Sequence, residues 1–522
     1  MAENEKMKEA IAKLEERRKD ALLLGGEDKI ARQHERGKLT ARERIDLLFD
    51  KGSFFEFGVL AKHQGDSKVR SPADGVVTGY GEVRGRRAAV VAYDFTVMGG
   101  SMGRAGEEKV SRLREQALKW RVPVIWLIDS GGARIGGGGK GHESSPSLFT
   151  DSGYLFREQA VMSGVVPQVC AMVGPGAAGT AYIPGLADFV PMVKGTSSMA
   201  LAGPYLVKAA VGEEVSEEDL GGSKIHCEKS GMGDLEVASD AECIEAIKEY
   251  LSFFPSHNQE PPPRLPCEDP EDRREESLTT IIPDNPRRAY DMHKVIGAIT
   301  DHGKYFELKP KWARNLIVCL ARFGGRPAGI VANNPMYLGG ALDNDSADKA
   351  ARFVWLCDAF GIPLLFLQDV PGFLVGSKVE QGGIIRHGAK MLHAVSEATV
   401  PKVTILVRKA YGAGYFVMCG KAYEPDYLAA WPTAEIAVMG PEGMVSIFAR
   451  KMLESAPDPA ALKEKLAGDI RKQIDPMIPA EHGLLDDVID PRETRRIICQ
   501  VLRLSENKKV ERPWRKHGVY PV

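Results

Sequence analysis

Two stretches of small residues follow apolar runs and could present backbone amides to a reacting group. They read GPGAAG (Gly174 to Gly179) and RKAYGAG (Arg408 to Gly414). Small residues at a strand-to-helix turn leave N–H groups unobstructed, and the positive end of a helix dipole lies behind them. Such amides stabilise an oxyanion. Two such turns suit a reaction that develops negative charge on two oxygens; tight packing of a helix on a sheet is the alternative interpretation.

The first stretch also matches the dinucleotide-binding pattern G-x-G-x-x-G. That pattern requires an acidic residue about 20 positions further on, where this chain has Lys194. The second stretch lacks the pattern altogether. Nucleotide binding is therefore disfavoured.

A glycine-rich string, GGGGK (Gly136 to Lys140), is not a phosphate-binding P-loop. Arg134 takes the place of the first required glycine, and Gly141 replaces the Ser or Thr that binds Mg²⁺. Because residues 136–147 contain almost no apolar side chains, we expect a flexible active-site loop there.

The tripeptide Ala389-Lys390-Met391 is similar to a biotin-attachment site, but its setting has the apolar spacing of a helix rather than a tight turn. Biotin, if used, is therefore expected on another chain. The histidines are isolated, no G-x-S-x-G nucleophile motif occurs, and the eight cysteines form no CxxC pair. We therefore predict no metal site. The lack of a catalytic side-chain motif fits chemistry that is performed by backbone amides and a cofactor.

Both turns belong to a longer internal repeat. RVPVIWLIDSGGARI (residues 121–135) corresponds to GIPLLFLQDVPGFLV (residues 361–375), so that Asp129 and Asp369 are 240 residues apart. VPQVCAMVGPGAAGTAY corresponds to VPKVTILVRKAYGAGYF at an offset of 234 residues. Ordered matches that share Gly, Pro and Asp positions indicate a duplicated domain.

Each copy alternates apolar strands, which end in glycines, with amphipathic helices such as residues 107–120 and 346–360. This alternation predicts α/β domains with mainly parallel sheets. We expect three segments: an N-terminal domain over residues 1–260 that is helical to about Phe49, a Pro-rich linker over 261–283, and a C-terminal domain over 284–522.

The composition excludes several classes of protein. A net charge of −2 over 522 residues gives no indication of the basic surface that binds nucleic acid. No apolar run approaches the roughly 20 residues that span a bilayer. The N-terminus is charged throughout and lacks the apolar region of a secretory signal. A cytoplasmic protein without direct membrane insertion is expected.

The chain resembles the carboxyltransferase β subunits of the propionyl-CoA and methylcrotonyl-CoA carboxylase family and their decarboxylase relatives. The similarity extends from about Leu14 to the C-terminus. It is carried by RGKLTARERIDLLFDKGSF, ADGVVTGYG, DFTVMGGS, DSGGARI, DLGGSKIH, DVPGF, GGIIRHGAK and AWPTAEIAVMGPEG.

The resemblance implies two crotonase-like domains, each a ββα spiral, in a homo-oligomer that is expected to be a hexamer. CoA would lie mainly on the N-terminal domain, and biotin, brought by a biotin carboxylase and carboxyl carrier partner, on the C-terminal domain. The amides of Ala178 and Gly179 would hold the thioester oxygen, and those of Ala413 and Gly414 the ureido oxygen of biotin. Further cofactor contacts are implied for Gly131, Gly132, Ala133, Arg134, Phe373, Tyr411 and Gly412.

The activity implied by the resemblance is transfer of a carboxyl group from carboxybiotin to the α-carbon of an acyl-CoA through an enolate. Close propionyl-CoA carboxylases have an acid where this chain has Phe416, so we expect Phe416, with Tyr182, to favour a larger or more apolar acyl group. One alternative is the carboxyltransferase of a biotin-dependent sodium-pumping acyl-CoA decarboxylase. A less favoured one is a crotonase-like hydratase or thioesterase. The sequence leaves the acyl group and the direction of the reaction open.

Overall fold

The computed structural model describes residues 2–63, 69–134, 153–286 and 288–521. The chain divides into two compact units, Met1–Glu260 and Pro261–Val522. The loop expected over residues 136–147 lies outside the described residues.

The first unit contains one sheet with helices packed against it. Its helices are α1 (Ala2–Leu22), α2 (Glu27–Glu35), α3 (Ala41–Leu48), α4 (Arg104–Trp120), α5 (Tyr154–Met162), α6 (Gly179–Leu186), α7 (Pro204–Val211), α8 (Glu217–Gly221), α9 (Ser223–Glu228) and α10 (Asp240–Phe253). Its strands are β1 (Phe55–Phe57), β2 (Val76–Val83), β3 (Arg86–Tyr93), β4 (Val124–Ser130), β5 (Gln168–Ala177), β6 (Pro191–Val193), β7 (Ser198–Ala200) and β8 (Leu235–Val237).

The second unit repeats this plan. Its helices are α11 (Met292–Ile299), α12 (Asn344–Ala359), α13 (Ser377–Gln381), α14 (Ile384–Glu397), α15 (Gly412–Val417), α16 (Pro441–Phe448), α17 (Arg450–Glu454), α18 (Pro459–Arg471), α19 (Met477–Glu481) and α20 (Thr494–Leu504). Its strands are β9 (Tyr305–Leu308), β10 (Leu316–Phe323), β11 (Arg326–Asn333), β12 (Leu364–Val370), β13 (Lys402–Tyr411), β14 (Tyr427–Ala430), β15 (Glu435–Ala437) and β16 (Asp487–Val488).

The two sheets have the same topology. The strand order is β1-β2-β3-β4-β5-β6-β8 in the first unit, with β7 beside β5, and β9-β10-β11-β12-β13-β14-β16 in the second, with β15 beside β13. In each sheet the first three strands pair antiparallel and the remaining pairs are parallel. The prediction of a duplicated α/β fold with mainly parallel pairing is confirmed.

Strands β4 and β12 are buried along their whole length, which explains the apolar runs 124–128 and 364–367. The predicted helices correspond to α4 and α12. Helix α12 begins with a capping box between Asp343 and Ser346, which satisfies otherwise free N–H groups at its start. Each sheet has a core on one of its faces, centred on residues such as Trp126 in the first unit and Trp431 in the second.

The N-terminal segment is helical to Leu48, as expected. Helix α3 starts with a capping box formed by Thr40 and Glu43. The side chains of α1 that the structure describes are exposed as far as Asp20. None of the helices in the described part of the chain has the length and apolar character that a bilayer crossing requires.

The Pro-rich segment predicted as a linker packs on the second unit. Leu278 is part of that unit's core. Arg495 donates hydrogen bonds to the carbonyls of Pro270 and Asp269. Arg274 pairs with Asp490 at 2.9 Å. Residues 261–286 are therefore held along the surface of the second unit.

Candidate active site

The first turn of interest joins β5 to α6 at Ala178. Its backbone angles are φ 52° and ψ −118°, a region that L-residues with a Cβ rarely occupy. The Thr180 hydroxyl donates to the carbonyl of Ala177 at 2.9 Å and fixes the end of the strand. Gly179 is the first residue of α6, where N–H groups have no acceptor within the helix.

Of the two amides predicted for the first oxyanion site, one is already engaged. The Ala178 N–H donates to the carbonyl of Ala200 in β7 at 3.1 Å. This bond extends the pairing of β5 with β7 into the turn. The Ala178 N–H is therefore engaged within the protein, and the roles of Ala178 and Gly179 as oxyanion donors stay predictions.

The second turn joins β13 to α15, which begins at Gly412 with φ 56°. A Cβ at Gly412 would lie 2.9 Å from the carbonyl oxygen of Val438, and one at Gly414 would lie 2.6 Å from a methyl carbon of Val370. Both positions therefore require glycine. Ala413 between them is exposed, and its amide is in the first turn of α15.

The loop that follows β4 contains Gly131 and Gly132 and lies beside the first turn. The Gly131 N–H donates to the carbonyl of Gly99 at 2.8 Å, and the Gly132 N–H donates to the hydroxyl of Ser130 at 3.1 Å. A Cβ at Gly132 would lie 2.6 Å from the carbonyl oxygen of Ala177. Gly131 and Gly132 therefore lie beside the first turn, and their contact with the cofactor stays a prediction.

Arg134, at the end of this motif, has its guanidinium occupied within the protein. It pairs with Asp74 at 2.6 Å and donates to the carbonyl of Ser101 at 2.9 Å. The neighbouring residue Ala133 forms a parallel bridge with Met102. Arg134 therefore holds the loop in place, and its contact with the cofactor stays a prediction. Asp74 is the partner that sequence reasoning missed.

The DVPGF motif has the same relation to the second turn. A Cβ at Gly414 would lie 3.2 Å from the Cα of Gly372. Phe373 bridges to Leu342, and its ring lies 3.3 Å from where a Cβ of Gly388 would be. Phe373 is thus part of the loop that borders the second turn, and its ring packs against α14 at Gly388.

Tyr411 precedes the second turn and is held by an acidic residue that the sequence did not reveal. Its hydroxyl donates to Glu435 in β15. Burial, reinforced by this carboxylate, raises the pKa of Tyr411. Arg471 lies 3.4 Å from Glu435 and 2.6 Å from Glu442. Tyr411 is therefore a neutral anchor for the end of β13 and does not act as an acid at neutral pH.

Two aromatic residues occupy equivalent places beyond the turns. Tyr182 in α6 is 52% exposed and Phe416 in α15 is 46% exposed, so both remain available to a ligand. Tyr182 packs edge-on against Phe156 with ring centroids 5.6 Å apart, and Phe416 against Tyr415 at 5.8 Å. Within the described ranges, no group of three or more His, Cys, Asp or Glu side chains is arranged to hold a metal ion.

Comparison with known proteins identifies the family of the chain. Residues 32–520 match the model of the carboxyl transferase domain family. The carboxyltransferase subunit of propionyl-CoA carboxylase from Haloferax mediterranei is 45% identical, over 99% of this chain and all of that protein. Methylmalonyl-CoA decarboxylase subunit alpha from Propionigenium modestum is 44% identical, over 98% and 99% of the two chains.

Among solved structures, the transcarboxylase 12S subunit superposes with a TM-score of 0.92 at 42% identity, and 98% of each chain is covered. That crystal structure is a hexamer assembly with methylmalonyl-coenzyme A and methylmalonic acid bound. The two units described above are therefore crotonase-like domains.

Proposed function

Because this chain belongs to the carboxyl transferase family and is an acyl-CoA carboxyltransferase, we propose that its two strand-to-helix turns bind the two oxygens that become negatively charged in the reaction. The observation that supports this assignment most strongly is the duplication of the turn. In both units the residue that follows the strand, Ala178 or Gly412, has a positive φ, and a helix begins there or at the next residue. One such turn per substrate is what transfer between two carbonyl compounds requires.

The first turn is assigned to the acyl-CoA. The Gly179 N–H, at the positive end of α6, points to the thioester oxygen and stabilises the enolate that forms when the α-proton leaves. Gly131 and Gly132 border this turn and would restrict the approach of the thioester. The α-carbon then forms the new carbon–carbon bond to the carboxyl carbon.

The second turn is assigned to biotin. Biotin supplies the carboxyl group and, after giving it up, a ring nitrogen basic enough to accept the α-proton. The turn fits a ureido oxygen, because Gly412 and Gly414 have no side chains and Ala413 is exposed at the start of α15. The amides of Ala413 and Gly414 would hold that oxygen, while Tyr411 and Phe373 support the turn from the sheet and from the neighbouring loop.

Three further features belong to the proposal. Biotin is carried by a partner subunit with biotin carboxylase and carboxyl carrier functions, and the chain assembles as a hexamer like transcarboxylase 12S. The half-exposed, uncharged Phe416 favours a larger or more apolar acyl group. A cytoplasmic location stays a prediction from the sequence.

A decarboxylase is the second candidate, because the decarboxylase subunit from Propionigenium modestum is nearly as similar as the carboxylase subunit from Haloferax mediterranei. The same turns would stabilise the same charges in the reverse direction. Propionyl-CoA carboxylase subunits support carboxylation as the main function.

The test supplies the purified chain with a separately carboxylated biotin carrier protein and a panel of acyl-CoA thioesters. The proposal predicts formation of carboxylated acyl-CoA that depends on the carrier. ATP and bicarbonate without the carrier should give no product. Product formation from ATP and bicarbonate by the chain alone would overturn the assignment of biotin to a partner.

A further inference from the structure

Both sheets contain the same irregularity three residues before the turn. In the first unit Ile128 of β4 pairs with Met172, but Ser130 pairs with Gly176. One residue of β4, Asp129, thus faces three residues of β5, 173–175. The extra residues make a bulge that bends β5 just before it reaches Ala178.

The second unit shows the bulge at the equivalent place. Gln368 of β12 pairs with Leu406, and Val370 pairs with Ala410. Asp369 alone therefore faces residues 407–409 of β13. Bulges of this kind commonly redirect a strand beside an active site, and here each is followed by an oxyanion turn at the same distance.

The residue opposite the first bulge is a fully buried carboxylate in direct contact with it. Asp129 has no exposed surface. It accepts hydrogen bonds from Lys38 at 2.6 Å and from Arg44 at 3.0 Å. Arg44 also donates to the carbonyl of Val173, and a Cβ at Gly174 would lie 2.0 Å from Asp129 Oδ1. The carboxylate and its arginine therefore enclose the bulged backbone.

The second bulge is held in the same way. Asp369 is also fully buried. It accepts from Arg408 Nε at 2.9 Å and Nη2 at 2.8 Å, and from the backbone N–H of Lys409 at 3.3 Å. Both donors are residues of the bulge itself. A charge-assisted pair of this kind holds its geometry more firmly than neutral hydrogen bonds.

The two units retain the carboxylate but neutralise it by different routes. Arg408 stands 234 residues after Gly174, at the equivalent place in the repeat. In the first unit that place is Gly174, and the cations Lys38 and Arg44 come from the N-terminal segment. In the second unit the cation comes from the bulge. The acid thus stays at the same place beside the bulge in both units, although the cations that neutralise it come from different parts of the chain. A role in stability alone would not require this.

We propose that Asp129 and Asp369 are positioning residues, which hold the two bulges and thereby aim the amides of the first and second oxyanion turns. This inference rests on the proposed function of the turns. Each acid would act on one substrate: Asp129 on the thioester oxygen and Asp369 on the ureido oxygen. Asparagine at either position would turn an N–H₂ group toward a cation and loosen the bulge.

The decisive readout is the infrared band of a ¹³C-labelled carbonyl in the bound ligand, because polarisation by an oxyanion site lowers its frequency. Labelled propionyl-CoA reports the first turn and labelled biotin the second. D129N should abolish most of the shift for propionyl-CoA and leave that for biotin unchanged, while D369N should do the opposite. Each variant should lose on the order of 10²-fold in kcat for biotin-dependent decarboxylation of methylmalonyl-CoA, as expected for misplaced groups.

Two controls remove buried carboxylates of similar burial that contact no bulge residue. Asp94 accepts from the Thr96 N–H at 2.8 Å and from the Ala41 N–H at 3.1 Å. Asp301 accepts from Arg495 at 2.7 Å and from the N–H groups of Gly324 and Gly325. D94N and D301N should lower the Tm while leaving both carbonyl bands in place.

Should an asparagine variant fail to fold, G174A and R408K disturb the same two bulges while keeping the acids and should give the same selective loss of shift. Equal effects of D129N and D369N on both ligands, or no effect on either, would overturn the inference. Absence of both shifts in the wild-type protein would instead refute the proposed function, so the two failures are distinguishable.

Discussion

Ala178 and Gly412 occupy equivalent places in the two units, 234 residues apart, with φ angles of 52° and 56°. A positive φ is thus adopted by an alanine in one unit and by a glycine in the other. The alanine tolerates it because its N–H is fixed to the carbonyl of Ala200 and the following residues continue directly into α6. Strain of this kind persists where the surrounding structure over-determines the backbone.

Replacing Ala178 by glycine should relieve that strain. We expect A178G to raise the free energy of unfolding by about 1 kcal/mol, which is the strain released less the backbone entropy of glycine. Thermal unfolding of the variant measures this gain. The reciprocal change, G412A, should lower the Tm, because its Cβ would lie 2.9 Å from the carbonyl oxygen of Val438. A decrease in Tm for A178G would contradict the account of the first turn.

Deleting a single amide should separate the role of the backbone from that of side chains. Proline is well tolerated at the first position of a helix, so A178G/G179P removes one N–H while α6 can remain intact. We expect biotin-dependent decarboxylation to fall by about 10²- to 10³-fold, as for the loss of one oxyanion donor.

The matched variant A178G/G179A keeps the N–H. Its Cβ would lie 3.6 Å from Phe156 and 3.8 Å from Met102, which are ordinary contacts. This variant should retain activity. Equal rates for the proline and alanine variants would show that the Gly179 amide is not a donor to substrate.

The side chain of Phe416 should determine which acyl groups are accepted. F416D should shift the ranking of acyl-CoA substrates toward shorter acyl chains, because an exposed apolar ring is replaced by a charge. F416L, which stays apolar, should preserve the wild-type ranking. Values of kcat/KM over a series of acyl-CoA thioesters measure the ranking, and an identical order for wild type and F416D would refute this role.

The order of the elements could be predicted from the sequence, whereas the partners of the site residues could not. Uninterrupted apolar runs in β4 and β12 identify strands covered on both faces, and the repeat shows that two such domains exist. A motif fixes residue types only. The Arg134 side chain is bound by Asp74, which lies 60 residues earlier in the chain. The Ala178 N–H is bound by the carbonyl of Ala200 in β7. Neither contact leaves a pattern in the local sequence.

The Asp129 and Asp369 pair illustrates the same limit. Their matching positions helped to define the repeat, but no local signal indicated a role for them. The cations that reach Asp129 lie 85 and 91 residues earlier in the chain, and the bulges become visible only when strand pairing is known.

Lys109 in α4 should make the stability of the protein depend on pH. Its Nζ is buried and has no hydrogen-bond partner among the residues that the structure describes. Burial lowers the pKa of Lys109 to about 8. The unfolded chain therefore binds more protons than the folded one between about pH 8 and 10.5, so stability due to this group rises with pH across that window.

K109M should remove this dependence and increase stability at pH 7, by on the order of 1–3 kcal/mol for an unsatisfied buried polar group. The control is K119M on the same helix, because Lys119 is exposed and pairs weakly with Glu115 at 3.7 Å. Denaturant unfolding at pH 7 and pH 10 gives both differences. A K109M variant that is less stable than wild type at pH 7 would contradict the assignment.

The most direct test of the two-turn account is decarboxylation of methylmalonyl-CoA by the purified chain, followed as CO₂ release with and without free biotin. The account predicts release that saturates with biotin and yields propionyl-CoA, because both oxyanion turns are contributed by this chain. No release with biotin from methylmalonyl-CoA or from larger carboxylated acyl-CoA thioesters, or an equal rate without biotin, would show that the second turn does not serve biotin and would contradict the central claim.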